Sequence, residues 1–172
     1  QCFELSGGAQ ADGGDQTVEI FSPLPDGGPL LKVLQTKQSL SSRKTVRIGV
    51  DLASALEAIH TNDASGGALA HGAIGADHVW VTPKGHAVLL RDPSSPARSP
   101  RGDLSSSWID RIESPATYAA PELADPSVLP TPASDIYSLG CLLYSVFVGR
   151  PAFEGEDDRE IFAAHNEDLP RD

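Results

Sequence analysis

Two short runs decide the fold. The first is Thr117-Tyr118-Ala119-Ala120-Pro121-Glu122; the second, Ser134-Asp135-Ile136-Tyr137-Ser138-Leu139-Gly140, places Asp135 thirteen residues past Glu122. The second run opens an apolar helix. Ile136, Leu139, Leu143, Val146 and Phe147 recur on one side at helical spacing, and Cys141, Leu142 and Val148 widen that stripe. So wide a stripe predicts a largely buried helix, stopped by Gly149 and Pro151 as a C-terminal cap and breaker stop one. Asp157 and Asp158 favour the start of a last helix through its dipole, with Ile161 and Phe162 as the apolar face.

Upstream, Ile48, Leu52, Leu56 and Ile59 form a single apolar stripe, predicting an amphipathic helix from the capping residues Ser41 and Ser42 to His60. Val79-Trp80-Val81 and Ala87-Val88-Leu89-Leu90 flank Thr82-Pro83-Lys84-Gly85, whose Pro and Gly suit a type I turn, so this is a β-hairpin. Residues 92–116 carry four Pro and seven Ser without periodicity and read as a long loop. Nearer the start, Cys2–Leu5 and Thr17–Phe21 read as strands, 22–29 as a connector and Leu30–Leu34 as a short helix. The element order is therefore α+β, mostly helical with a small antiparallel hairpin.

The chain has 172 residues, enough for a buried core, and a net charge of −11 from 13 Lys+Arg against 24 Asp+Glu. That balance argues against a nucleic-acid binder, which needs clustered cations, and against docking on anionic lipid. No window approaches the apolar length of a membrane span, and no signal peptide is visible. The start at Gln1 reads as a segment cut from something longer. Two cysteines, Cys2 and Cys141, make no disulfide framework, so a reduced cytoplasmic setting is the expectation, with both thiols as buried filler.

The element order and the opening runs together resemble the large lobe of a eukaryotic-type Ser/Thr protein kinase. Thr117 to Glu122 is similar to the end of a kinase activation segment, with Ala120-Pro121-Glu122 as its Ala-Pro-Glu motif. Ser134 to Gly140 resembles the start of the central kinase helix, whose Asp supports the catalytic loop; here that is Asp135. Gly149 to Gly155 resembles the loop before the next kinase helix, and Leu56 to His60 the end of the helix before the catalytic loop. The resemblance implies that residues 1–24 are the end of the small lobe and the hinge, and 25–172 a large lobe cut before its last helices. It leaves only the hinge backbone at Glu19, Ile20 and Phe21 to touch an adenine, since no Gly-rich loop or phosphate-anchoring Lys precedes it.

The family transfers phosphate with a catalytic Asp, a phosphate-contacting Lys, a metal-binding Asn and the Asp of Asp-Phe-Gly. The matching loop reads His71-Gly72-Ala73-Ile74-Gly75-Ala76-Asp77-His78. His71 fits the family. The Arg position is Gly72, the catalytic Asp position Ala73, the Lys position Gly75 and the Asn position His78. A methyl group accepts no proton, and a hydrogen holds no phosphate. At the metal motif, one register places Arg91 and a one-residue slip places Asp92, followed by Pro93-Ser94 in place of Phe-Gly. Gly72 also removes the Arg that in many kinases receives a phosphorylated activation loop.

His71 and Asp135 are expected to be packing and hydrogen-bonding anchors, with Asp135 bonded to backbone near 71–73. Glu122 is expected to be exposed or unpaired. His71, Asp77, His78 and His86 lack a recognised metal spacing, so no metal is expected, with Asp92 the one candidate. No Gly-x-Ser-x-Gly elbow supports a hydrolase. The leading reading is a catalytically inactive, pseudokinase-like domain that binds or regulates a protein partner, such as another kinase, through the groove between 92–122 and the last helix. No cofactor is expected under it. The alternatives are a weak or unconventional kinase that uses ATP and Mg²⁺ with Asp77 or Asp92 recruited, and an inert fragment of a larger multidomain signalling protein.

Overall fold

The computed structural model describes residues 25–37, 39–61, 69–90 and 115–167. The expected strands at 2–5 and 17–21, the hinge at Glu19, Ile20 and Phe21, and most of the 92–116 loop lie outside them.

Two long helices form the spine. Helix α2, Ser42–Thr61, buries Ile48, Leu52 and Leu56, the stripe its periodicity predicts. It packs on α3, Pro132–Val148, whose buried apolar residues include Leu139, Leu142 and Val146. The axes approach closely where Gly49 faces Leu143: a Cβ at 49 would stand 3.1 Å from Leu143 Cδ1. Helix α1, Leu30–Lys37, runs three residues past the expected Leu34 and seals one side of the core with Leu30, which is wholly buried. The Leu40 N–H then donates to the Val146 carbonyl at 2.8 Å, tying the α1–α2 link to the end of α3. Each fully buried Leu or Ile contributes about 1.5–3 kcal/mol, so this apolar seam is the main favourable term.

Strands β2, Val79–Val81, and β3, Ala87–Leu89, form the expected hairpin, with Trp80 opposite Val88. The Gly85 N–H donates to the Thr82 carbonyl at 2.8 Å and closes the turn. One correction concerns the connector at 22–29. Its Gly28–Pro29 pairs antiparallel with Val81 and Trp80 as a two-residue strand, β1, so among the described residues the sheet has three strands in the order β1-β2-β3. The Trp80 indole N–H donates to the Pro25 carbonyl at 2.9 Å and holds this extra strand in place.

Helix α3 needs two further corrections. It begins at Pro132, with Thr131 as N-cap in a reciprocal capping box with Ser134, two residues before the expected opening. Its buried face keeps Leu139, Cys141, Leu142 and Val146 of the expected stripe but is turned away from Ile136, Phe147 and Val148. Ile136 is 55% and Phe147 53% exposed, whereas Ser134, Asp135, Ser138 and Ser145 are buried. The hydroxyls of Ser138 and Ser145 donate to the carbonyls of Ser134 and Cys141, at 2.9 and 3.1 Å, so small polar residues enter the core with their bonds made. The helix ends as expected at Gly149, which takes φ +88°, a conformation that favours glycine. Helix α4, Asp158–Glu167, follows and packs against two 3₁₀ turns, Pro115–Thr117 and Pro121–Ala124.

Candidate functional site

A cavity of about 170 Å³ lies where the loop 71–78, the Tyr118–Leu123 segment and the first turns of α3 meet. Gly72, Ala73, Gly75, Asp77 and His78 line it together with Tyr118 and Asp135. The structure therefore gathers most of the sequence-selected loop around one space.

Asp135 is its inner wall and is 1% exposed. Its carboxylate accepts the His71 backbone N–H at 2.7 Å on Oδ2 and the Gly72 backbone N–H at 2.8 Å on Oδ1. His60, at the end of α2, stands with Nε2 2.8 Å from the same Oδ2. The carboxylate only accepts, so the proton is on His60 Nε2. Three elements thus converge on one buried group: α2 through His60, the loop through 71–72, and α3 through Asp135 itself. Gly72 meets this geometry with φ +77°, where a side chain costs roughly 1–2 kcal/mol.

His71 is buried and used on both ring nitrogens. Nε2 donates to the Leu90 carbonyl at 3.1 Å, and Nδ1 accepts the Ala73 N–H at 3.3 Å. That arrangement defines a neutral ring with no nitrogen left to accept a substrate proton.

On the outer wall the 3₁₀ turn Ala76–His78 carries Asp77 and His78, whose Oδ1 and Nδ1 are 3.1 Å apart. Burial pushes the Asp77 carboxyl up. The hydrogen bond and charge of His78, with the backbone N–H groups of 77 and 78, outweigh it and leave the group below its ordinary 3.8. Asp77 also curls back over Gly75: a Cβ built there would sit 2.6 Å from Asp77 Oδ1 and 3.4 Å from Tyr118 Cδ2. A long side chain at position 75 and this placement of Asp77 exclude each other. Ala73 adds only a half-buried methyl to the lining.

The Ala120-Pro121-Glu122 run lies between the lining residues Ala119 and Leu123. Tyr118 and Ala120 are buried, Ala120 is the N-cap of the Pro121–Ala124 turn, and Glu122 is exposed. Behind it lies a contact that sequence reasoning missed. His165 of α4 has Nε2 2.9 Å from the Ala116 carbonyl and Nδ1 2.7 Å from the Tyr137 hydroxyl, with its ring 4.3 Å from that of Phe153. Burial lowers the His165 pKa, opposed in part by the Ala116 carbonyl, and raises that of Tyr137 to about 12. This bridge joins α3 and α4 to the turn leading into Tyr118. Next to it Cys141 is buried, and its thiol is pushed up to about 11, so it is filler and no thiolate nucleophile.

His86 stands apart on the hairpin, with Nδ1 3.1 Å from Asp51 Oδ2, and does not join His71, Asp77 and His78. No cluster of three or more His, Cys, Asp or Glu among the described residues is placed to hold a metal ion. Arg91 and Asp92 lie outside the described residues, as does the hinge backbone. No described helix is long and apolar enough to cross a membrane.

Comparison with known proteins agrees with this architecture. The protein kinase domain family matches residues 10–171, and the chain belongs to that family. Serine/threonine-protein kinase PknK of Mycobacterium bovis is 34% identical over 151 residues, which are 84% of this chain and 12% of that protein. Serine/threonine-protein kinase PknB of Mycobacterium leprae is 26% identical over 145 residues, 84% of this chain and 22% of that protein. Serine/threonine-protein kinase RUNKEL of Arabidopsis thaliana is 26% identical over 152 residues, again 84% of this chain but 10% of that protein. The chain thus spans between a tenth and about a fifth of the length of these relatives.

Proposed function

We propose that this protein kinase domain transfers no phosphate and works as a regulatory or binding module for a protein partner. Residues 25–172 would serve as the large lobe and 1–24 as the hinge and the end of the small lobe. The observation that carries the reading is the cavity lining. Ala73, Gly75 and His78 line the cavity, and the resemblance of the 71–78 loop makes them the counterparts of the family's catalytic Asp, its Lys and its metal-binding Asn. Among the described residues, the carboxylates that line the cavity are committed: Asp135 to two backbone N–H groups and His60, Asp77 to His78. Magnesium takes oxygen ligands in near-octahedral geometry, and an imidazole in place of the Asn amide removes one of them. The described donor set does not fit the ion, and no step is routed through it. The groove toward a partner would be bounded by the Tyr118–Ala124 rim and α4, the elements joined through His165.

One observation favours a second reading, a weak or unconventional Ser/Thr kinase. Asp77 Oδ1 reaches over Gly75 into the same cavity, and the relatives above are serine/threonine-protein kinases by name. Thermal unfolding of the full-length protein separates the two. The module reading predicts that ATP leaves the melting temperature unchanged whether or not Mg²⁺ is present. A Mg²⁺-dependent upward shift that disappears in Asp77→Asn or Asp92→Asn selects the second reading.

A further inference from the structure

At the end of α2 away from His60 lies a groove of about 470 Å³ between α1, the first turns of α2 and the hairpin turn. It gathers Lys37, Arg43, Lys44, Arg47 and Lys84, five of the 13 Lys+Arg in a chain of net charge −11, and no carboxylate among the described residues lines it. All five are exposed. Among the described residues none of them forms an ion pair; Arg47 donates only to the Lys84 backbone carbonyl, at 3.2 Å. The one acidic side chain of α2 near the groove, Asp51, is turned to the hairpin, where it accepts the Ala87 N–H at 2.9 Å and meets His86.

The placement of these cations works against the helix that carries them. Arg43 and Lys44 sit in the first turn of α2, which holds no acidic residue, against the positive end of the dipole. Arg43 and Arg47 are a like-charged i, i+4 pair, which is also unfavourable. Local stability therefore gives no reason for the cluster, and an anionic partner would remove both penalties. Beneath the charges the floor is apolar, with Leu40 and Ile48 buried and Val33 and Val81 half-buried.

We propose that this groove docks an acidic peptide segment of a partner protein, with carboxylates on the Arg43, Arg47 and Lys84 rim and one or two apolar side chains on the Leu40–Ile48 floor. The apolar floor and concave shape favour a peptide over a lipid surface, and the overall charge of −11 repels an anionic membrane as a whole. The site shares no lining residue with the Asp135 cavity, so the proposal stands whether or not the domain transfers phosphate.

The test is a random-peptide display selection on the full-length protein, run in parallel on an Arg43→Glu/Arg47→Glu/Lys84→Glu variant. Wild type should enrich acidic sequences with spaced apolar residues. A synthetic peptide of the enriched sequence should bind the variant at least about tenfold more weakly, and wild-type binding should weaken with added salt. The milder Arg43→Gln/Lys84→Gln variant should show an intermediate loss at an unchanged melting temperature, which separates docking from unfolding. No enrichment, enrichment of neutral or basic sequences, equal binding by the variants, or capture by phosphatidylserine vesicles without peptide binding would each overturn the proposal.

Discussion

The inner and outer walls of one cavity have opposite chemistry. On the inner wall Asp135 is buried, and His60, the 71–72 backbone and α3 all close on it. On the outer wall Ala73, Gly75 and His78 offer a methyl, a hydrogen and an imidazole, and under the proposed reading these are the positions that the family uses for chemistry. The inner wall is held because breaking it exposes the fold to a large penalty. The outer wall costs the fold nothing to lose, since an Ala or Gly side chain there leaves no buried polar group unpaired. Under the proposed reading, stability holds the first in place, and nothing in the packing demands reactive groups on the second.

Substitutions that separate the walls test that difference. The largest effect is expected at Asp135→Ala, which strands two buried N–H groups and the His60 ring. It should lower stability by about 3–5 kcal/mol, read by denaturant or thermal unfolding. His60→Ala removes one bond to the same carboxylate and should cost about 1.5–3 kcal/mol. An effect as small as that of an exposed substitution at either position would break the comparison.

His165→Gln comes next, at about 1–2 kcal/mol, because one amide cannot serve both Tyr137 and Ala116. It also carries a pH signature. The folded-state pKa of His165 is lowered from 6.5, so the unfolded chain takes up the proton first. Stability therefore falls as pH drops below about 6.5 toward the folded value. Replacing His165 should flatten the stability profile between pH 7 and 5; an unchanged slope would contradict the buried neutral assignment.

The smallest effect belongs to the outer wall. Asp77→Asn should cost no more than about 1 kcal/mol near neutral pH, the range of partly exposed pairs. The folded pKa of Asp77 is below 3.8, so its contribution is present above that value and fades as pH falls through it. The gap between wild type and Asp77→Asn should close in acid.

Much of the scaffold is readable from residue patterns, and the failures have physical causes. The α2 stripe of Ile48, Leu52 and Leu56 consists of large apolar residues, so burial and hydropathy coincide. On α3 they part: Ser134, Ser138 and Ser145 satisfy their hydroxyls on the helix backbone and pack where close approach is needed, leaving Ile136 and Phe147 outward. A hydropathy stripe cannot register a buried serine. Strand β1 escapes because Gly28-Pro29 has turn chemistry and pairs only over two residues. The Asp135 position follows from the spacing after Glu122, but its partner His60 lies 75 residues away, and the Tyr137–His165 bond spans 28. A lone histidine at the end of a helix has no local pattern that names so distant a partner.

The most direct measurement is phosphate transfer from radiolabelled ATP by the purified full-length protein, to itself and to a generic protein substrate, with Mg²⁺ or Mn²⁺. The proposed reading, a kinase scaffold without phosphate transfer, predicts incorporation no greater than that of an Asp77→Asn/Asp92→Asn double variant. Incorporation well above that variant would show that the cavity performs the chemistry after all and contradict the account.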